Sequence, residues 1–227
     1  MSARKKFTDD QLRAAALAIV DTEGLPALTM RRLAEALGTG AMTLYNYVED
    51  RDGLEALIVG AVMAEARLPA MSGRWADDVR AIATVLWRTV RRHPNVIPLI
   101  LNRRTDDAAT LAAVEALLEA IAGSGRSGFD LLAAFRAVSG FIAGFAQSEV
   151  AGLLTKTPKG STKELRARIE AASGGRLKRL AEIAAVGIPG DPEREFQVGL
   201  DIVLAGLAAP SAPGRRATAT RSTAKRH

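Results

Sequence analysis

The chain has 227 residues, of which 48% are hydrophobic and only 4% aromatic, and it carries a formal net charge of +6. That length buries a substantial core, in one domain or in a small domain followed by a larger one. Its wealth of Ala, Leu, Ile and Val without strand-favouring runs points to an all-α protein. The absence of cysteine excludes disulfides, thiolate chemistry and cysteine-ligated zinc.

The start, MSARKKFTDD, passes from a basic patch straight into Asp9 and Asp10 without an apolar core, so it does not read as a secretory signal. Thr8 followed by Gln11 is a capping-box spacing, and Leu12, Ala15, Ala16, Ile19 and Val20 recur at helical intervals, predicting a first helix over about 9–22. Gly24 and Pro26 end it. Thr29 is the N-cap expected for a short second helix with Leu33, Ala34 and Leu37 inward, closed by Gly38 in a positive-φ conformation. A third helix is expected from Gly40 or Ala41 to Val48. A fourth, over 52–67, leads out of the small domain, and Pro69, Ser72 and Gly73 mark the boundary.

Further helices are predicted at about 75–92, 95–102, 106–122, 129–154, 164–184 and 192–207. Of the segments between them, TKTPKGST reads as a mobile linker. Runs such as LEALIVGAVMAEA are broken by Glu well short of the roughly 20 apolar residues of a membrane span, so no membrane partner is expected and the address is cytoplasmic. The tail over 208–227 has too little apolar surface to fold and is expected to be disordered.

The charge is unevenly placed. Arg215, Arg216, Arg221, Lys225 and Arg226 give the tail +5, which leaves +1 for the rest of the chain, and within 1–67 eight bases face ten acids. A high overall pI therefore says little about nucleic acid, and a nonspecific architectural DNA binder, which needs widespread positive charge, is disfavoured. Local placement says more. TMRRLAEALGTGAMTLYNYV has the layout of a helix-turn-helix unit. On a 100° wheel Leu44 and Val48 anchor the third helix, Met42 and Asn46 lie opposite, and Thr43 and Tyr45 sit at the margins. The outward surface is small enough for a major groove about 12 Å wide.

The chemistry fits that placement. Thr43, Tyr45 and Tyr47 can donate to phosphate oxygens, and Asn46 can pair bidentately with adenine. Ala41 and Met42 offer apolar contact to thymine methyls. Arg31 at the start of the second helix is in reach of a guanine or the backbone, and Arg51 of a phosphate beyond the third. Taken singly, either tyrosine also suits the edge of an ordinary helical core. Arg4, Lys5 and Lys6 suit either a DNA-tracking arm or a solvated terminus.

LTMRRLAEALGTGAMTLYNYVEDRDGLEALI resembles the N-terminal signature of the TetR family of transcriptional regulators, with its threonine cap, LG, variable turn, TLY and charged turn before a leucine. The match covers positions 9–58. It departs from the family at Gly40 or Ala41, where a polar or basic residue is common, and at Val48, where Phe is frequent. The resemblance implies DNA-contacting roles for Thr29, Arg31, Thr43, Tyr45, Tyr47 and Arg51, with positions 41, 42 and 46 setting base preference. FQVGLDIVLAGL resembles the final helix of a tetracycline-repressor-type regulatory domain, which pairs through two helices from each subunit.

A division into a DNA-binding domain over 1–67, a helical ligand-binding and dimerisation domain over 74–207 and a basic tail over 208–227 follows. Gly140, Gly144, Gly199 and Gly206 would let helices approach at a homodimer seam. Such a dimer presents two reading helices about 34–36 Å apart to palindromic double-stranded DNA. Trp87, Val90, His93, Ile97, Leu101, Phe135, Val138, Phe141 and Phe145 are candidates for lining a cavity for a small, largely hydrophobic effector, although each also reads as plain core and His93 as a partly exposed loop residue. No cofactor or metal is implied. A catalytic reading finds no P-loop, nucleophile elbow or Glu-x-x-His spacing. The expected function is a sequence-specific regulator, a repressor released from its operator by the effector. The alternative is a helical enzyme or ligand-binding protein without sequence-specific DNA binding.

Overall fold

The computed structural model describes residues 7–102, 107–151, 162–174, 176–186 and 191–209, and among these there are helices and no strands. Helix α1 (Asp9–Glu23) starts at the predicted capping box, with Thr8 Oγ1 accepting from the Gln11 N–H at 3.2 Å and the Gln11 side chain accepting from the Thr8 N–H at 2.9 Å. Helices α2 (Met30–Ala36), α3 (Ala41–Leu44) and α4 (Arg51–Ala64) follow. Their buried residues, Leu33, Leu44, Leu54 and Ile58, join Leu12, Ile19 and Val20 of α1 in one apolar cluster.

The rest is a larger helical layer: α5 (Trp75–Arg91), α6 (Ile97–Asn102), α7 (Ala108–Ala122), α8 (Gly128–Ala151), α9 (Thr162–Ser173), α10 (Lys178–Val186) and α11 (Pro192–Ala208). A second cluster fills it, built on Val79, Ile82, Leu86 and Trp87 of α5, Leu117 and Ile121 of α7, Val138 and Ile142 of α8, and Phe196 and Leu200 of α11. The two clusters meet along α4 and α6. Met63 and Ile100 pack against both, and Val96 and Leu99, just before and within α6, are buried in the first cluster. The smaller helical unit is thus seated on the larger one through apolar contact.

Several expectations need revision. Regular α-helix in α3 stops at Leu44, although the N–H groups of Tyr47 and Val48 still bond to the Leu44 carbonyl at 2.8 and 3.0 Å, so the segment keeps a helical course to Val48. The single helix expected over 164–184 is two, because the chain turns at Gly174 with φ +55°. The expectation that no stretch approaches a membrane span also fails: Gly128–Val150 is long and apolar enough, with 22% of its 18-residue apolar window buried. Leu131, Phe135, Val138, Phe141, Ile142 and Phe145 make it apolar, and Ala133, Ala137, Gly140, Gly144 and Ser148 form an exposed stripe of small residues along α8. The linker TKTPKGST and the basic tail beyond residue 209 lie outside the described residues.

Candidate functional site

The turn between α2 and α3 fixes how α3 leaves the protein. Gly38 has φ +62°; its N–H bonds to the Glu35 carbonyl at 3.1 Å, and the Thr39 N–H to that of Ala34 at 2.9 Å. This pair of bonds is a Schellman motif, which ends α2 sharply and needs the left-handed region that glycine enters without strain. Two residues later the chain is helical again. Leu44 (0% exposed) and Val48 (5%) point into the first apolar cluster. The opposite flank is therefore in solvent: Met42 is 79% exposed and Tyr45 49%, Asn46 is exposed, and Ala41 and Thr43 are half-buried.

The supporting residues divide. Thr29 caps α2, its Oγ1 accepting from the Arg32 N–H at 3.1 Å. Arg31 stands out from the head with its side chain 88% exposed, and its Nε lies 3.7 Å from Glu35, beyond hydrogen-bonding range. Tyr47, expected on the outward face, is half-buried: its hydroxyl accepts the Phe7 N–H at 2.9 Å and its ring lies 6.3 Å from that of Phe7. It braces the entry of α1 against the segment that follows α3. Arg51 is also more structural than its sequence position suggests, since Nε donates to Glu55 Oε1 at 2.8 Å and Nη1 to the Leu28 carbonyl at 3.4 Å. Arg4, Lys5 and Lys6 lie outside the described residues.

Behind the head a cavity of about 530 Å³ opens between α4, α5, α6, α7 and α8, within the range of small-molecule sites. Val59 and Met63 of α4 form one wall, Leu86 and Val90 of α5 another, and Ile100 and Leu101 of α6 a third. Thr110, Ala113, Val114 and Leu117 of α7 face Phe135, Arg136, Ser139, Gly140, Ile142 and Ala143 of α8 across it. Of the sequence candidates, Val90, Leu101 and Phe135 line this space. Trp87, Ile97, Val138 and Phe141 do not: Ile97 and Val138 are buried in the second cluster, and the two aromatics pack against other rings. Trp87 is fully buried, stacked on Phe196 with ring centroids 4.4 Å apart, and its Nε1 donates to Glu149 Oε2 at 2.7 Å. Phe141 and Phe145 close on the same Phe196 ring at 5.3 and 5.4 Å. These rings are filled core.

His93 is neither pocket wall nor loose loop. It is 8% exposed, its Nδ1 lies 2.8 Å from Asp21 Oδ2 on α1, and its Nε2 lies 3.2 Å from Glu65 Oε2 at the end of α4. Burial pushes the Glu65 carboxyl up, but hydrogen bonds from His93 and Arg92 outweigh it and hold the group below its ordinary value. Among the glycines expected at a dimer seam, Gly140, Gly144 and Gly206 have open space where a side chain would stand. Gly199 does not: a Cβ there would meet Phe141 of the same chain at 2.8 Å, so its smallness serves α8–α11 packing within one subunit. Alongside, Val198 and Ile202 of α11 and Leu132 of α8 are exposed.

The cavity residues that sequence reading missed carry a faint signal. Thr110, Ala113, Val114 and Leu117 share one helical face on α7, as do Val59 and Met63 on α4, and the small residues Ala113, Gly140 and Ala143 leave volume unfilled.

Comparison with known proteins agrees with this architecture. The family model described as the tetracyclin repressor-like C-terminal domain matches residues 68–210. An HTH-type transcriptional regulator of Saccharopolyspora erythraea is 32% identical over 89% of this chain and 85% of its own. The class D tetracycline repressor protein of Escherichia coli is 28% identical over 85% of each chain. The Streptomyces coelicolor TetR family protein ActR, solved in complex with actinorhodin, superposes with a TM-score of 0.74 at 27% identity, covering 90% of this chain and 99% of that one. An exposed reading segment on a helix-turn-helix head, the all-helical layer behind it and these matches give one answer: the chain belongs to the TetR family of transcriptional regulators.

Proposed function

We propose that the protein is a homodimeric repressor that holds a palindromic operator in the cytoplasm and releases it when a small, largely hydrophobic effector enters the cavity between α4 and α8. In this reading residues 1–67 bind DNA, with Met42 and Asn46 reading bases and Thr29, Arg31, Thr43 and Tyr45 on the backbone. Residues 74–207 bind ligand and pair the subunits. The exposed stripe of Ala133, Ala137, Gly140 and Gly144 on α8, beside Val198 and Ile202 on α11, is the surface that a second copy would cover. Such a face supports close approach of helices and burial of apolar area. ActR, crystallised with actinorhodin, is a relative whose ligand complex favours an effector here as well.

The observation that carries the proposal is that α4 belongs to both halves of the device. Its Leu54 and Ile58 are core residues of the head, and its Val59 and Met63 are cavity wall. A ligand that displaces Met63 must shift the support of the reading segment. α6 repeats the arrangement, with Leu99 in the head core and Leu101 on the cavity. Linkage then demands reciprocity: an effector that weakens operator affinity by some factor is itself bound more weakly by that factor when operator is present.

The test begins with a thermal-shift screen of small apolar aromatics on the intact protein. Compounds that raise the melting temperature are then titrated against a fluorescent duplex carrying the bound sequence. Loss of both affinities by the same factor supports the reading. A compound seated in the cavity that leaves duplex affinity unchanged contradicts it.

A further inference from the structure

Among the described residues the cavity wall is apolar except for Thr110, Arg136 and Ser139. Its two hydroxyls have each used their single hydrogen on the protein: Thr110 Oγ1 donates to Asp107 Oδ2 at 2.6 Å, and Ser139 Oγ donates to the Phe135 carbonyl at 2.8 Å. The Asp107 carboxylate is itself engaged in capping α7 through the Ala109 and Thr110 N–H groups, both at 3.0 Å. The remaining polar group is Arg136, the only ionisable side chain among the described residues that line the cavity. It is exposed and makes no ion pair among the described residues.

That isolation contrasts with the arginines nearby. Arg88 is held by Glu193, Arg91 by Glu149, and Arg80 by Asp77 and Asp201. Arg136 thus places five N–H donors and a full positive charge beside an apolar space, with hydrogen-bond capacity unused. In the single chain it is open to solvent. A neutral apolar guest would cover the guanidinium without answering its donors, which is unfavourable, whereas an anion answers both charge and donors, and does so bidentately if it is a carboxylate.

We infer that the effector is an amphipathic organic acid, with its anionic group paired to Arg136 and its apolar body lodged against Val90, Leu117 and Phe135. The inference rests on the cavity being the effector site. It goes beyond that reading by assigning the sign of the ligand's charge and the side chain that the charge faces.

The test uses two probes that share one ring framework and differ in charge: 8-anilinonaphthalene-1-sulfonate and its uncharged counterpart N-phenyl-1-naphthylamine. Both are titrated against the full-length protein and against Arg136→Gln and Arg136→Lys, with competition between the probes showing that they share a site. The expected result is that each displaces the other and that Arg136→Gln loses about tenfold in sulfonate affinity, the order expected for one charge-assisted hydrogen bond. The neutral probe should stay within about twofold, and Arg136→Lys should retain part of the sulfonate affinity. Competing probes with unchanged sulfonate affinity in Arg136→Gln would overturn the acid assignment and leave the cavity standing, as would an equal loss of both probes. If the neutral probe fails to bind the unmodified protein, the cavity reading itself falls, and this inference with it.

Discussion

His93 and Asp21 are 72 residues apart in sequence and 2.8 Å apart in space. One residue follows α5 in the larger layer and the other lies on α1 of the head, and the second ring nitrogen of His93 reaches Glu65 where α4 ends. The imidazole therefore pins both long helices of the head to the layer that contains the cavity. Replacing His93 by Ala leaves two carboxylates without this partner and opens a hole in a buried junction. We expect a loss of about 1–3 kcal/mol, read by calorimetry as a melting temperature several degrees lower. An unchanged melting temperature would show that the junction is held by its apolar contacts alone.

Glu65 makes the same junction sensitive to acid. Its carboxyl titrates below the ordinary value in the folded protein, so it contributes stability above its unfolded value, about 4.3, and loses that contribution as pH falls through the folded one. The difference in melting temperature between the unmodified protein and Glu65→Gln should be largest near neutrality and shrink in acid. A difference that grows in acid would contradict the assignment. The effect is small, because the side chain is 39% exposed and screened by solvent.

Arg31 and Arg51 should separate under salt. Arg31 is outstretched, and its replacement by Ala should weaken binding to all duplexes alike and flatten the slope of log affinity against log salt by about one unit. Tyr45→Phe should weaken all duplexes without changing that slope. Arg51→Ala should lower stability first, because it removes the clip to buried Glu55 and to the Leu28 carbonyl. A full unit of slope lost at Arg51 with stability intact would reverse these roles.

The proposed subunit seam is tested at Ile202, which is 70% exposed in the single chain. Ile202→Lys places a charge in the middle of that surface and should yield monomers in sedimentation at micromolar concentration, with affinity for a two-half-site duplex falling sharply. A folded dimer that keeps full affinity would move the seam elsewhere.

The head was largely legible in the sequence because its signals are local. Thr8 and Gln11 cap within one turn, Gly38 ends α2, and Leu44 and Val48 repeat at the helical period, so the exposure of Met42 and Asn46 could be read from a wheel. Tyr47 and Arg51 lie on the same short stretch, yet their partners Phe7 and Leu28 are set by how helices cross, which periodicity does not encode. The cavity was harder for a related reason. A wheel tells which face of a helix is turned inward, and Trp87, Phe141 and Val90 all are, but whether that face meets a neighbouring ring or empty space depends on side chains from several helices. Phe196 fills one region, while Ala113 and Ala143 leave the other open. His93 was misplaced because both of its carboxylates are remote in the chain.

The most direct measurement is selection of bound duplexes from a random pool, run in parallel with the unmodified protein and with Asn46→Ala. The account predicts enrichment of a palindrome with half-sites about one helical turn apart, and loss of preference at one base pair per half-site in the variant, worth about 1–3 kcal/mol of discrimination. No enrichment by the unmodified protein, or an unaltered palindrome when Asn46 is gone, would contradict it.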